Sequence, residues 1–203
     1  MTFCKKMPRI TEQDLIEMRA RGYDPATIDS ARFDLLRTQD AERICDLIIE
    51  AFSLVTLGDG IGLWQAQGLD DYEDEETCLK YRERDEKYDW TKVTQDDLDS
   101  CNSSPSFLDA EGFRFYLPAF MISDLRDEYR FDFIYSLINF QYLKYERYEL
   151  LSPFQRQCVR DYLIWHRDDP NNDFDRPEIE KALSQYWTAE SCIPKNEEAR
   201  HQE

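Results

Sequence analysis

The stretch that most constrains this fold is Ser106 to Leu125, SFLDAEGFRFYLPAFMISDL, the densest apolar and aromatic segment of the chain. One Gly and one Pro punctuate it. Ser104 or Ser106 is the expected cap of a helix through Phe107–Tyr116. That helix should yield at Leu117, because the residue before a proline disfavours the αR region. Pro118 then opens a second helix with Phe120, Met121 and Leu125 directed inward. Two helices meeting at a proline-set angle suit the centre of a domain. Asp109, Glu111 and Arg114 are charges embedded in the aromatic first half of this sequence, and Glu111 to Arg114 is an i, i+3 spacing. Burying Arg114 without Asp109 or Glu111 would be costly. The three are therefore expected as a central ion network that fixes the two helices. An acid/base site that also uses Tyr116 is the alternative.

Helical periodicity continues on both sides. Ile44, Leu47, Ile48, Ala51, Phe52 and Val55 make one apolar face of a helix over Ala41–Val55, with Thr38 as its cap. Upstream, Thr11 caps a short helix in TEQDLIEMRAR that Gly22 ends, and Asp24-Pro25 restarts a turn. Leu57-Gly58-Asp59-Gly60-Ile61-Gly62 stops the core helix. It lacks the lysine and preceding strand of a phosphate loop, and its Asp59 would repel phosphate, so it reads as a helix stop and turn. Within Leu63–Tyr81 a helix (LWQAQGLDDY) precedes an acidic connection, after which Thr94 caps a short helix. Phe131–Phe140 reads as an apolar helix, followed by the aromatic, charged QYLKYERYELL.

Ser152-Pro153-Phe154-Gln155 combines a capping box with proline at the first helical position. Its helix should bury Phe154, Cys158, Tyr162 and Trp165 and end at Asp168-Asp169-Pro170. Asp175-Arg176-Pro177-Glu178 reads as a second box, before Ile179, Ala182, Leu183, Tyr186 and Trp187. With only six glycines in 203 residues, a many-turned all-β design is disfavoured. The expectation is an all-α fold of about six to eight helices: a helical appendage at 1–37, one compact domain at 38–190 and a polar tail at 191–203.

Charge bounds function. The net charge of −18 has the wrong sign for nucleic acid or an anionic membrane surface. It suits solubility or a basic partner. Thirteen acids against five bases concentrate −8 of that charge in residues 70–99. Asp70, Asp71, Glu73, Asp74, Glu75 and Glu76 form its densest run. Asp59, Asp70, Asp71 and Glu73 offer oxygens to a hard cation. They lack EF-hand spacing, and a solvated loop is the simpler reading.

The cysteines at 4, 45, 78, 101, 158 and 192 show no zinc spacing, and His166 and His201 are the only histidines. Cys45 and Cys158 fall on predicted helix faces as small buried hydrophobes. No apolar run reaches transmembrane length and no signal peptide is visible, so a cytosolic chain is expected. His166 is the one serious candidate for a catalytic base. It sits at a helix end, where it can serve the last carbonyls instead. No GxSxG elbow exists. The aromatics from Tyr129 to Trp165 could stack bases, but without a basic groove they read as core.

Four blocks, LIIEAFSLVTLGDGIGLWQAQGLDDY, FLDAEGFRFYLPAFM, LLSPFQRQCVRDYL and EIEKALSQYW, together resemble a bacterial domain family of unknown function. The resemblance covers about residues 40 to 190. It implies a mainly α-helical fold and a bacterial source, and it assigns no residue a role.

The leading functional expectation is a non-enzymatic, acidic, cytosolic binding protein without a cofactor. Its acidic surface would meet a basic protein, for example as an immunity or antitoxin protein covering a basic toxin. No catalytic or metal-ligating residue is assigned in this reading. One alternative is a carboxylate-based hydrolase using Asp59, Asp70, Asp71 or Glu111, with Mg²⁺ as the candidate ion. Another is a structural subunit that self-associates through apolar aromatic surface.

Overall fold

The computed structural model describes residues 10–139 and 145–192, and among them the fold is all-α, with nine α-helices, short 3₁₀ turns and no strand. Residue 140, the segment 141–144 and the tail from 193 onward, each named in the sequence expectations, lie outside the described residues.

The first helix, α1 (Glu12–Ala20), starts as its sequence suggests. Thr11 and Asp14 form a reciprocal capping box, and Gly22 lies past its end at φ 74°. The next element departs from expectation. Instead of one turn, a break and a new helix, α2 runs unbroken from Pro25 to Phe52, 28 residues. Asp24 caps it by accepting the Thr27 amide. Thr38 is no cap: its hydroxyl donates to the Asp34 carbonyl at 2.9 Å, so it is satisfied inside the helix. The helix spans two cores. Ala31 and Leu35 pack with Leu15 of α1 in a small satellite cluster, while Ala41, Ile44, Cys45, Ile48 and Phe52 enter the main core.

After the glycine loop come α3 (Leu63–Asp70) and α4 (Glu75–Arg84). The acidic connection thus contains a helix of its own, started by Asp74 accepting the Thr77 amide at 2.8 Å. A carboxylate there suits both the orphan amides and the helix dipole. The short α5 (Gln95–Ser100) carries the expected Thr94 box, closed by Asp97.

The central segment is one helix, α6 (Ala110–Leu125), with Pro118 inside it. Its cap is Asp109; neither Ser104 nor Ser106 starts it. A proline in a helix interior costs about 3 kcal/mol. Phe113, Phe115, Tyr116, Leu117, Phe120 and Met121 are each no more than 1% exposed. Full burial of such a side chain is worth roughly 1.5–3 kcal/mol. Two of them offset the proline, so packing keeps the helix whole.

The apolar run after α6 is helical only over α7 (Tyr135–Ile138). Its N-terminal part packs as irregular chain, with Phe133 stacked on Phe120 at 4.9 Å and Tyr129 edge-on at 5.4 Å. A 3₁₀ turn at Tyr145–Tyr148 then leads into α8 (Pro153–Arg167). Here the Ser152–Gln155 box is present as read. Cys158 and Tyr162 are buried, Trp165 is half-buried, and Phe154 faces solvent at 41% exposure. The last helix, α9 (Arg176–Gln185), buries Ile179, Ala182 and Leu183 but has no side-chain cap. Asp175 adopts the αR conformation there, so the second expected box does not form.

Two kinds of polar tie close this assembly. Gln155, itself 2% exposed, donates to the Ala51 carbonyl of α2 and accepts from Arg114 Nε of α6 at 3.2 Å. Each of the four tryptophans spends its indole N–H on a distant partner: Trp64 on Asp97, Trp90 on Phe52 O, Trp165 on Arg37 O and Trp187 on Leu137 O. Buried indoles need such partners.

The glycine loop packs so closely on α6 that Gly112 has no room for a side chain. A Cβ there would lie 2.2 Å from the Ile61 carbonyl oxygen, which is backbone and cannot swing away. Gly112→Ala is expected to cost about 2 kcal/mol or more in urea denaturation. Gly22→Ala, with open space around it and only its positive φ at stake, should cost about 1 kcal/mol.

Candidate functional site

Three side chains hold the loop at 57–62 and its exit, Asp109, Arg82 and Asp85, and of these Asp109 alone stands out in the sequence as a candidate. Asp109 Oδ1 accepts the Gly112 amide at 2.8 Å and the Ile61 amide at 3.0 Å. Arg82 of α4 reaches back to donate to the carbonyls of Gly58, at 2.9 Å, and Gly60. Asp85, just after α4, accepts the Trp64 amide at 2.7 Å and the Gln65 amide at 3.3 Å, and so caps α3 from a distance. A Cβ on Gly62 would fall 1.9 Å from Asp85 Oδ2, so that carboxylate needs the glycine beside it. The loop is clasped on three sides.

Asp109, Glu111 and Arg114 do not form the expected ion network. No ion pair joins them among the described residues. Asp109 caps, Glu111 is exposed beside Gly58 and Gly60, and Arg114 turns to Gln155. Helical spacing brought the three near each other, but the orphan amides at the α6 N-terminus compete better for Asp109.

The acidic stretch divides into two populations. From Asp85 onward most carboxylates are consumed by the fold. Glu86 Oε1 accepts three successive amides, those of Lys87, Tyr88 and Asp89. Asp89 caps a 3₁₀ turn, Asp97 serves both Thr94 and the Trp64 indole, and Asp99 binds Arg130 at 3.1 Å. The run at 70–76 is different. The side-chain carboxylates of Asp70, Glu73 and Glu75 make no hydrogen bond or ion pair with any described residue. Asp71 meets only Gln67, and Glu76 only Lys80 four residues on. All are exposed except half-buried Asp70. Asp74 alone has a structural task, the α4 cap. Amid this run Tyr72 stands 96% exposed with φ 58°.

The other candidates give no cation site. Among the described residues no group of three or more His, Cys, Asp or Glu is placed to hold a metal ion. Asp59 lies at the loop tip, away from any such group. Burial pushes the Cys101 and Cys158 thiols up to about 12, which keeps them protonated and inert. His166 Nε2 lies 2.8 Å from Asp124 Oδ2, and the same oxygen accepts the Tyr162 hydroxyl at 2.6 Å. This cluster ties α8 to the end of α6. Sequence reading missed it, along with Arg82 and Asp85, because partners 20 to 42 positions apart leave no local spacing signal.

Burial raises Asp85 above the ordinary 3.8, against the lowering effect of its two amides. Bonds from Thr77 lower Asp74. The two caps must therefore respond to pH with opposite sign. A group raised in the fold contributes most below 3.8 and loses its contribution as pH climbs through its native value; a lowered one does the reverse. Asp85→Ala is expected to cost about 1–3 kcal/mol, and more near pH 3 than at pH 7. Asp74→Ala should lower the melting temperature at pH 7, with the difference fading as pH falls below 3.8. Thermal melts of both variants across that range check the two signs.

Comparison with known proteins gives a family match over most of the chain. The model of a family of unknown function (DUF6714) matches residues 40–191. It takes in the loop, α3 to α9 and the second half of α2. No curated protein and no solved structure matches the chain.

Proposed function

The chain belongs to the family of unknown function DUF6714, and from its geometry we propose that it is a non-enzymatic acidic binding protein with a basic protein as partner. The observation that carries this reading is the division of the carboxylates. Those from Asp85 onward are spent on amides and indoles, whereas those at 70–76 stand in solvent around an exposed tyrosine. An aromatic ring among uncommitted charges has the make-up of a recognition surface, since tyrosine is enriched at interface anchors. The charges draw in and orient a basic partner. One concrete form is an immunity or antitoxin protein that covers a basic nuclease or similar toxin and blocks it. The same reading places the protein in the cytosol, where the thiols of Cys45, Cys78, Cys101 and Cys158 stay reduced.

Capture from native lysate at low and high salt identifies the partner, and association kinetics then test the surface. The variant Asp70→Lys/Asp71→Lys/Glu75→Lys/Glu76→Lys leaves the Asp74 cap intact. It should associate about tenfold or more slowly at low salt and approach wild type at high salt. Equal rates at both salts would remove the proposal.

A further inference from the structure

A groove of about 270 Å³ lies between α2 and α8. On α2, Phe33 and Leu36 are followed one turn on by Asp40; on α8 and at its C-terminal cap, Ile164 and Trp165 lie between Asp161 and Asp168. Apolar groups thus share the lining with three carboxylates and with the guanidinium groups of Arg37 and Arg43. Phe33 is 40% and Leu36 51% exposed, although both sit on a face of α2 that a neighbour could cover.

The floor is rigid. Arg37 stacks on the Trp165 ring at 3.7 Å, donates to the Trp165 carbonyl at 2.9 Å and pairs with Asp169 at 2.9 Å. The Trp165 indole donates back to the Arg37 carbonyl. Three arginines here are each paired with one carboxylate. Arg37 is held by Asp169, Arg43 pairs with Asp40 at 3.5 Å, and Arg167 pairs with Asp168 at 2.7 Å. Asp34, close to Arg37, and Asp161 have no ion pair among the described residues, so five carboxylates (Asp34, Asp40, Asp161, Asp168, Asp169) face three arginines and the rim stays acidic.

The chemistry of the occupant follows from these facts. The volume sits at the foot of the roughly 300–1,000 Å³ range of small-molecule pockets, and it also suits one or two apolar side chains of a larger body. A second copy of this chain would bring its own −18 charge against an acidic rim. We infer that the groove seats the apolar face of a short amphipathic helix carrying Lys or Arg on its flanks, supplied by a partner protein. Helix-in-groove recognition reads such a helix through anchors spaced three and four residues apart. The inference rests on the reading that the partner is basic, but it uses a different surface.

The test is titration of a fluorescein-labelled Leu/Lys amphipathic helical peptide against the full chain, read by anisotropy. Leu36→Asp makes the chain more acidic, so attraction by charge alone predicts tighter binding. Docking in the groove predicts binding weaker by about tenfold or more, the loss expected for one buried leucine. Phe33→Ser, which adds no charge, should weaken binding in the same direction. Circular dichroism confirms that both variants keep wild-type helix content. Tighter or unchanged binding by Leu36→Asp overturns the inference, as does no binding to wild type. The charge-reversed 70–76 variant separates the two surfaces. If it binds the peptide as wild type does while Leu36→Asp does not, the groove stands and the acidic turn has no part in holding this ligand.

Discussion

One carboxylate oxygen, Asp109 Oδ1, holds two amides from different elements: Gly112 at the start of α6 and Ile61 in the glycine loop. Much of the architecture depends on that joint. It fixes where the most buried helix begins, and it brings the loop against that helix at a distance only glycine permits. Arg82 and Asp85 then fasten the other side of the loop, so α3 and α4 are hung from the same point. An open, glycine-rich turn is held firmly because its Gly58 and Gly60 carbonyls meet a guanidinium and its Ile61 amide meets a carboxylate. Buried or crowded backbone groups need such partners.

This arrangement gives the glycine loop a physical reading. The LGDGIG stretch resembles a ligand loop in composition, yet its amides at Ile61 and, beyond the loop, at Trp64 and Gln65 already have acceptors. The blocks LGDGIGLWQ and FLDAEGF are the two halves of one joint. Acidity likewise has two meanings along the same thirty residues. Where a carboxylate faces orphan amides it stabilises structure at close range; where it faces solvent it acts on other molecules through its field. In the reading proposed above, the second kind is the one that meets a partner.

Much of the fold was legible because helix starts are written locally. Thr11, Thr94 and Ser152 each precede an acceptor three residues on, and each forms its box. The misreadings share another cause. Neighbours in sequence suggest a break at Pro118, a cap at Thr38 and a helix over Phe131–Phe140, whereas neighbours in space decide all three. Core packing carries α6 through its proline, a back-bonded hydroxyl carries α2 through Thr38, and aromatic stacking on Phe120 holds residues 129–133 out of a helix. The acidic run at 70–76 was visible as composition. Its separation from the carboxylates after it was not, since that depends on which amides the tertiary fold brings within reach.

That separation is the central claim, and urea denaturation of two neutralised variants tests it most directly. Asp70→Asn/Asp71→Asn/Glu75→Gln/Glu76→Gln should unfold at or above the wild-type midpoint, because it removes like-charge repulsion and no needed acceptor. Asp85→Asn/Asp97→Asn/Asp109→Asn removes fewer charges but weakens the caps of α3, α5 and α6. Its midpoint should fall by about 1 M urea or more. Equal losses in the two variants, or a greater loss in the first, would contradict the account.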